Sequence, residues 1–288
     1  MSVGLLMKTA LFPMHFWLPP AHADAPGPVS ALLSALVVKA SFYLLLRLWF
    51  ELFDGVAPGF AAQMLGALGA VAIVWGSLLA LRQERLKLLV AYSTVAQLGY
   101  LFLLFPLAGA TAGAAFWAAG GWAGGVYYAV AHACAKGAMF MAASTVLKVM
   151  GTDEIGKLRG VVERLPLAVT TFAVSGITLM GLPPSGGFTG KWLLLGAAIE
   201  SGQWWYAAVV LAGGLLAAAY LLRFVTPAFT LDSEGVSGGE HEKPYRAPLS
   251  MELAALLLAA LSLVLGLVSA PLLGLLEVGA PFAEGISA

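Results

Sequence analysis

Apolar residues run along this chain in stretches of about twenty or more, parted by short polar turns, and that spacing predicts a series of membrane-length helices. PVSALLSALVVKASFYLLLRLWF, Pro28 to Phe50, has 23 residues. At about 1.5 Å per residue it makes roughly 34 Å of helix, enough for a hydrocarbon core of about 30 Å. An acidic turn holding Glu51 and Asp54 follows. Gly59–Leu81 is a clean span, the charged turn RQERLK comes next, and Leu88–Ala108 crosses back. Thr111–Lys148 is too long for one plain span and rich in glycine up to Gly125, which predicts a break or kink in its first third. Pro166–Leu182 ends at PPSGGFTG, after which Lys191 opens a second half-helix reaching about Glu200. Gln203–Thr230 and Pro248–Glu277 are the last spans, with residues 231–247 the longest polar loop. Ahead of all these, residues 2–12 form a short apolar piece. PMHFWLPPAHADAPGP then sets five prolines in sixteen residues, which breaks a helix.

Composition agrees with the pattern. Of 288 residues, 60% are hydrophobic and 10% charged, where a soluble domain carries roughly a quarter charged. The predicted class is an all-α membrane protein, a polytopic helix bundle with two discontinuous helices. The lone cysteine, Cys134, lies in an apolar helix, so neither an internal disulfide nor a cysteine metal site is expected. The opening apolar run is too short to span and has no small-residue cleavage site, so it is not read as a signal peptide. No glycine-rich phosphate loop, cysteine cluster or flavin signature appears. No cofactor, metal, redox centre or nucleic-acid partner is expected in this chain.

Ten of the fifteen Lys and Arg fall in or beside three alternate loops: Arg82, Arg85, Lys87; Lys148, Lys157, Arg159, Arg164; Arg223, Lys243, Arg246. One-sided loading of this kind places those loops in the cytoplasm and the C-terminus outside. The other five, Lys8, Lys39, Arg47, Lys136 and Lys191, fall within membrane segments. An ammonium at mid-bilayer costs at least about 2.5–3.5 kcal/mol, and such groups face a bundle interior or a water-filled path. Snorkelling serves lysines near helix ends, and eleven residues separate Lys39 from either end. Lys8, Lys39, Lys136 and Lys191 are therefore expected to be buried in a shared polar interior. Lysines there can lose and regain protons as their partners move, and imidazole titrates near neutral pH. His132 and Lys136, four residues apart, share a helix face. The simplest alternative for His132 is a satisfied core histidine. His15, His22 and Asp24, inside the first break, are accessory candidates. The two breaks, near Pro13–Pro28 and Pro183–Gly190, resemble the discontinuous helices of transporters.

KTALFPMHFWLPPAHADAPGPVSALLSALVVKASFYLLLR is similar to the central segment of the antiporter-like subunits of respiratory complex I and of Mrp-type multisubunit Na+/H+ antiporters. RLKLLVAYSTVAQLGY, AHACAKGAMF and GLPPSGGFTGKW resemble that family's next hallmarks, so the likeness covers residues 1 to about 230. It implies a proton-translocating subunit built from two inverted repeats. Lys8 would be the lysine of the broken seventh helix and Lys39 the connecting lysine of the eighth. His132 and Lys136 would be the relay of the eleventh, and Lys191 the exit lysine of the twelfth. Residues 1–50 would then end the first repeat, 51–230 form the second, and 231–288 supply the polar loop and final helix. Relatives carry six helices ahead of the point that Met1 matches, including a glutamate that pairs with the lysine matched by Lys8. The expectation is that this chain corresponds to the C-terminal half of the fold and lacks those helices, or that another polypeptide provides them. Implied partners are other membrane subunits, protons or sodium ions, and the bilayer of the cell (inner) membrane. Complex I, Mrp antiporter and hydrogenase-type assemblies stay open on this reading. Two other functions stay open as well: a stand-alone secondary transporter of a small solute, and a non-conducting scaffold subunit.

Overall fold

A computed structural model describes residues 1–53, 59–108, 115–230 and 247–281. Among them helices follow one another in chain order: α1 Ser2–Lys8, α2 Leu18–Ala23, α3 Gly27–Leu52, α4 Gly59–Leu81, α5 Leu86–Ala108, α6 Ala115–Met150, α7 Pro166–Met180, α8 Gly186–Glu200, α9 Trp204–Phe229, α10 Leu249–Leu267 and α11 Ala270–Val278. Six of these, α3 to α6, α9 and α10, are long and apolar enough to cross a membrane. The chain is a multi-pass, all-helical membrane protein.

The bundle is organised around α5. Its apolar window is 89% buried, against 17% for α10 at the periphery. α5 packs on α4, α6, α2 and α9, while α6 packs on α3, α7, α8 and α10. One buried cluster gathers Phe42, Phe102, Phe105 and Tyr206; a second gathers Leu86, Phe140, Phe172 and Phe224. The two meet along α5 and α6.

Several elements depart from the sequence reading. The first break is narrower than five prolines suggest, because Met14–Trp17 forms a 3₁₀ turn and α2 then takes Pro19 and Pro20 into its first turn. Backbone N–H groups are unpaired there anyway, so proline does no harm. α6 runs unbroken for 36 residues. Its glycines serve helix contact instead, with Gly121 and Gly125 lying against Leu107 and Leu104. Gly181, at φ 80°, closes α7. Ser185 accepts the Phe188 N–H as N-cap, so α8 begins at Gly186 and Lys191 lies inside it. The last span is two helices parted at Val268–Ser269. Glu51 is helical and pairs with Arg47 at 2.5 Å, both exposed. Asp54, Lys243 and Arg246 lie outside the described residues.

The basic loops meet at one end of the bundle. Arg85 Nε donates to Asp153 Oδ1 at 3.0 Å, Leu86 N–H to Asp153 O, Ile155 N–H to Glu84 O, and Arg223 to Leu81 O. Arg223 belongs to α9 and reaches that end from within the helix.

Candidate functional site

α3 is not a plain α-helix around its lysine. Leu33–Val37 is a π turn, in which the Val38 N–H reaches back to Leu33 O. π turns inside α-helices are frequent at functional sites. The Lys39 ammonium, thirteenth of the 26 residues of α3, donates to Ser34 O. Ser34 Oγ lies 3.2 Å from Thr94 Oγ1 on α5, and Thr94 donates to Val90 O at 3.0 Å. Thr94 spends its hydrogen on Val90, so Ser34 is the donor between the two hydroxyls.

Val90 O is a shared acceptor. It takes Lys136 Nζ at 3.0 Å and Ser93 Oγ at 2.8 Å, while Lys136 also donates to Ser93 Oγ. One turn further along α5, Gln97 Nε2 donates to Tyr220 Oη at 2.8 Å and to Leu179 O at 3.3 Å. Leu179 O receives Lys191 Nζ at 2.6 Å. Oxygen and nitrogen contacts thus lead from Lys39 through one face of α5 to Lys136, and from Gln97 to Lys191. Lys39, Lys136 and Lys191 are all buried, Lys136 fully so. Among the described residues their partners are carbonyl and hydroxyl oxygens. Lys191 also lies over the Tyr100 ring at 4.1 Å, the favourable position for a cation on an aromatic face.

His132 is fully buried and parallel to the Tyr128 ring, centroids 5.8 Å apart. His22, on α2, is fully buried and stacks on Phe140 at 4.3 Å, one turn from Lys136. Neither ring nitrogen of either histidine has a hydrogen-bond partner among the described residues. A buried imidazole so placed can take a proton on one nitrogen and give it from the other. His15 stacks on Phe12 at 5.6 Å. Asp24 is exposed just past α2.

Lys8 differs from the other three lysines: it is exposed at the end of α1. The fourth buried lysine is Lys87, assigned above to a loop but carried into α5. Its ammonium donates to Ala23 O at 3.1 Å and Ala25 O at 2.6 Å, tying the end of α2 to α5. Sequence reasoning also passed over Ser93, Thr94 and Gln97. Their spacing along YSTVAQ puts polar atoms on a buried helix, and that was the available signal. Lys87→Met leaves two carbonyls without their donor and is expected to destabilise by about 1–3 kcal/mol. Thermal unfolding in detergent measures this, and an unchanged midpoint would show the contact to be unimportant.

Residues 1–217 match the family model described as NADH:quinone oxidoreductase/Mrp antiporter, TM. The chain belongs to this family. It is 33% identical over 267 residues to NADH-quinone oxidoreductase subunit N of Desulforudis audaxviator, covering 92% of this chain and 51% of that protein. It is 30% identical over 227 residues to a Na(+)/H(+) antiporter subunit of Alkalihalophilus pseudofirmus, covering 79% and 44%. Among solved structures, the Mrp complex from Dietzia sp. DQ12-45-1b superposes with a TM-score of 0.82 at 25% identity, over 94% of this chain and 56% of that one. An archaeal membrane-bound sulfane sulfur reductase gives 0.80 at 28% identity, over 98% and 54%. The chain therefore spans about half the length of the relatives it matches. Its structural neighbours are subunits of multisubunit membrane complexes.

Proposed function

We propose that this chain conducts protons, with sodium ion as the alternative cargo, as one membrane subunit of a complex I-like or Mrp-type cation/proton antiporter assembly in the cell (inner) membrane. The observation that carries this reading is the pair of buried contact series along α5, one joining Lys39 to Lys136 and the next joining Gln97 to Lys191, with His132 buried on α6 one turn from Lys136. Three buried ammonium groups whose partners among the described residues are carbonyl and hydroxyl oxygens are costly as packing elements, and conduction gives them a use. Moving a proton from one lysine to the next keeps the number of buried cations constant. Neighbouring cations in a low-dielectric interior repel, so charging one site favours emptying its neighbour. His22 and His132 flank Lys136 and would widen the set of groups that can hold the proton. Lys8, exposed on α1, would act toward a neighbouring element. The joined basic loops support a cytoplasmic placement of that end of the bundle, which puts the C-terminus on the opposite side.

The test is proton translocation by the assembled complex in native membrane vesicles. Lys136→Met is expected to lower it at least about tenfold, a barrier increase near 1.4 kcal/mol, with the protein still copurifying with its partners. Undiminished translocation by this variant would overturn the reading, as would solute transport by the purified chain alone in proteoliposomes.

A further inference from the structure

α10 is the least buried of the six spanning helices, and it follows the residues 1–217 that match the family model. Its buried residues are all small: Ala255, Ala259 and Ser262. Gly266 continues the same helical spacing, so the four form one seam along α10. Small residues in such a seam let membrane helices approach closely.

The seam ends on the break between α7 and α8 and touches both sides of it. On the α7 side, Ser262 Oγ lies 2.8 Å from Thr178 Oγ1. Ser262 gives its own hydrogen to Ala259 O at 2.7 Å, so Thr178 is the donor between the two hydroxyls. In the break itself, a Cβ on Gly266 would stand 2.6 Å from Pro184 C and closer still to Pro184 O and Ser185 C. On the α8 side, a Cβ on Gly186 would stand 2.9 Å from Leu265 Cβ and 3.2 Å from Ser262 O. The end of α10 is fixed in turn from α6, because Tyr127 donates to Leu265 O, a carbonyl of the last turn.

Lys191 crosses the same break from inside. It belongs to α8 yet gives its ammonium at 2.6 Å to Leu179 O of α7, the residue after Thr178. Its stem passes Gly181, where a Cβ would stand 2.7 Å from Lys191 Cδ. Whether the ammonium reaches Leu179 O therefore depends on how the end of α7 stands relative to the start of α8. A flexible lysine stem follows that offset and does not set it.

We propose that Ser262 and Gly266 are positioning residues, through which α10 splints the α7–α8 break and holds the Lys191 ammonium on Leu179 O. This rests on the conduction reading above and adds the element that keeps Lys191 in place. α10 itself carries no proton in this role. It acts by fixing the two half-helices whose offset Lys191 spans.

The test is translocation per assembled complex in native membrane vesicles. Gly266→Ala sets a methyl against backbone atoms that no side-chain rotation moves, so α10 must lift off the break. Translocation is expected to fall about tenfold. Leu258→Ala is the comparison, because Leu258 Cδ1 lies 3.4 Å from where a Cβ on Gly137 of α6 would stand, away from the break. It is expected to lower the unfolding temperature at least as far as Gly266→Ala and to leave translocation unchanged. Thr178→Val keeps the bulk without the hydroxyl and is expected to cost about threefold, the worth of an average interhelical hydrogen bond in a membrane, while Thr178→Ser restores the rate. A wild-type rate in Gly266→Ala overturns the splint, as does an equal loss of rate in Leu258→Ala. Equal rates in Thr178→Val and Thr178→Ser also overturn it, and this comparison stands where Gly266→Ala does not accumulate. Lys136→Met in the same vesicles separates the two ideas. Its loss of translocation beside a normal Gly266→Ala removes only the splint, and its normal translocation removes the conduction reading.

Discussion

Lys39→Ala is expected to reduce proton translocation at least about tenfold, equivalent to 1.4 kcal/mol or more on the limiting barrier, while the protein still assembles with its partners. The ammonium sits at the middle of α3 and makes its contact with Ser34 O inside the π turn. Removing it deletes the first proton-holding group of the series and leaves that carbonyl without its charged donor. The stability loss should stay near 1–3 kcal/mol, because the uncompensated charge leaves together with the side chain. Lys39→Arg should fail as well. A guanidinium donates to Ser34 O but keeps its proton at any working pH. The pair of variants thus separates a need for positive charge from a need for a charge that can be given up. Proton uptake into inverted vesicles measures both, with copurified partners as the control. Normal pumping by either variant would remove Lys39 from the relay.

Much of this architecture is legible in the sequence because membrane helices state their own length. Gly59–Leu81 is observed with the bounds that hydropathy gives it. Lys39, His132, Lys136 and Lys191 stand out for the same reason, since a charge or imidazole in an apolar run is conspicuous. What hydropathy cannot show is direction. Lys8 and Lys87 both flank apolar stretches, yet Lys8 is exposed at the end of a seven-residue helix while Lys87 turns inward onto the carbonyls of α2. Ser93, Thr94, Gln97 and Tyr220 are unremarkable one at a time. Their role depends on α5 lying at the centre of the bundle with its neighbours' polar atoms turned toward it, a tertiary fact. The glycines of α6 misled for a related reason. Glycine density signals either a break or a close helix crossing, and only the partner decides between them.

That crossing yields the other large effect expected. α6 and α8 meet backbone to backbone. A Cβ added at Gly190 would stand 2.8 Å from Tyr128 Cβ, 2.9 Å from its Cα and 3.0 Å from its N, and one added at Gly124 would stand 2.9 Å from Leu194 N. No side-chain rotation relieves such contacts, so Gly190→Ala must push the two helices apart. Overpacking of a rigid interior costs about 1–3 kcal/mol, and Gly190→Val should cost more. The next residue is Lys191, whose ammonium depends on α8 keeping its place for the 2.6 Å contact with Leu179 O and the seat over Tyr100. Gly190→Ala is therefore expected to lower the unfolding temperature and to cut translocation together, although it alters no charged or polar group. Gly196, on the same helix, supplies the control: nothing lies within 4 Å of a Cβ there. Alanine at that position should be neutral or stabilising by about 0.5–1 kcal/mol, since glycine is the poorer helix former. If Gly190→Ala matches the Gly196→Ala protein in both unfolding temperature and translocation, the close crossing does not hold Lys191 in place.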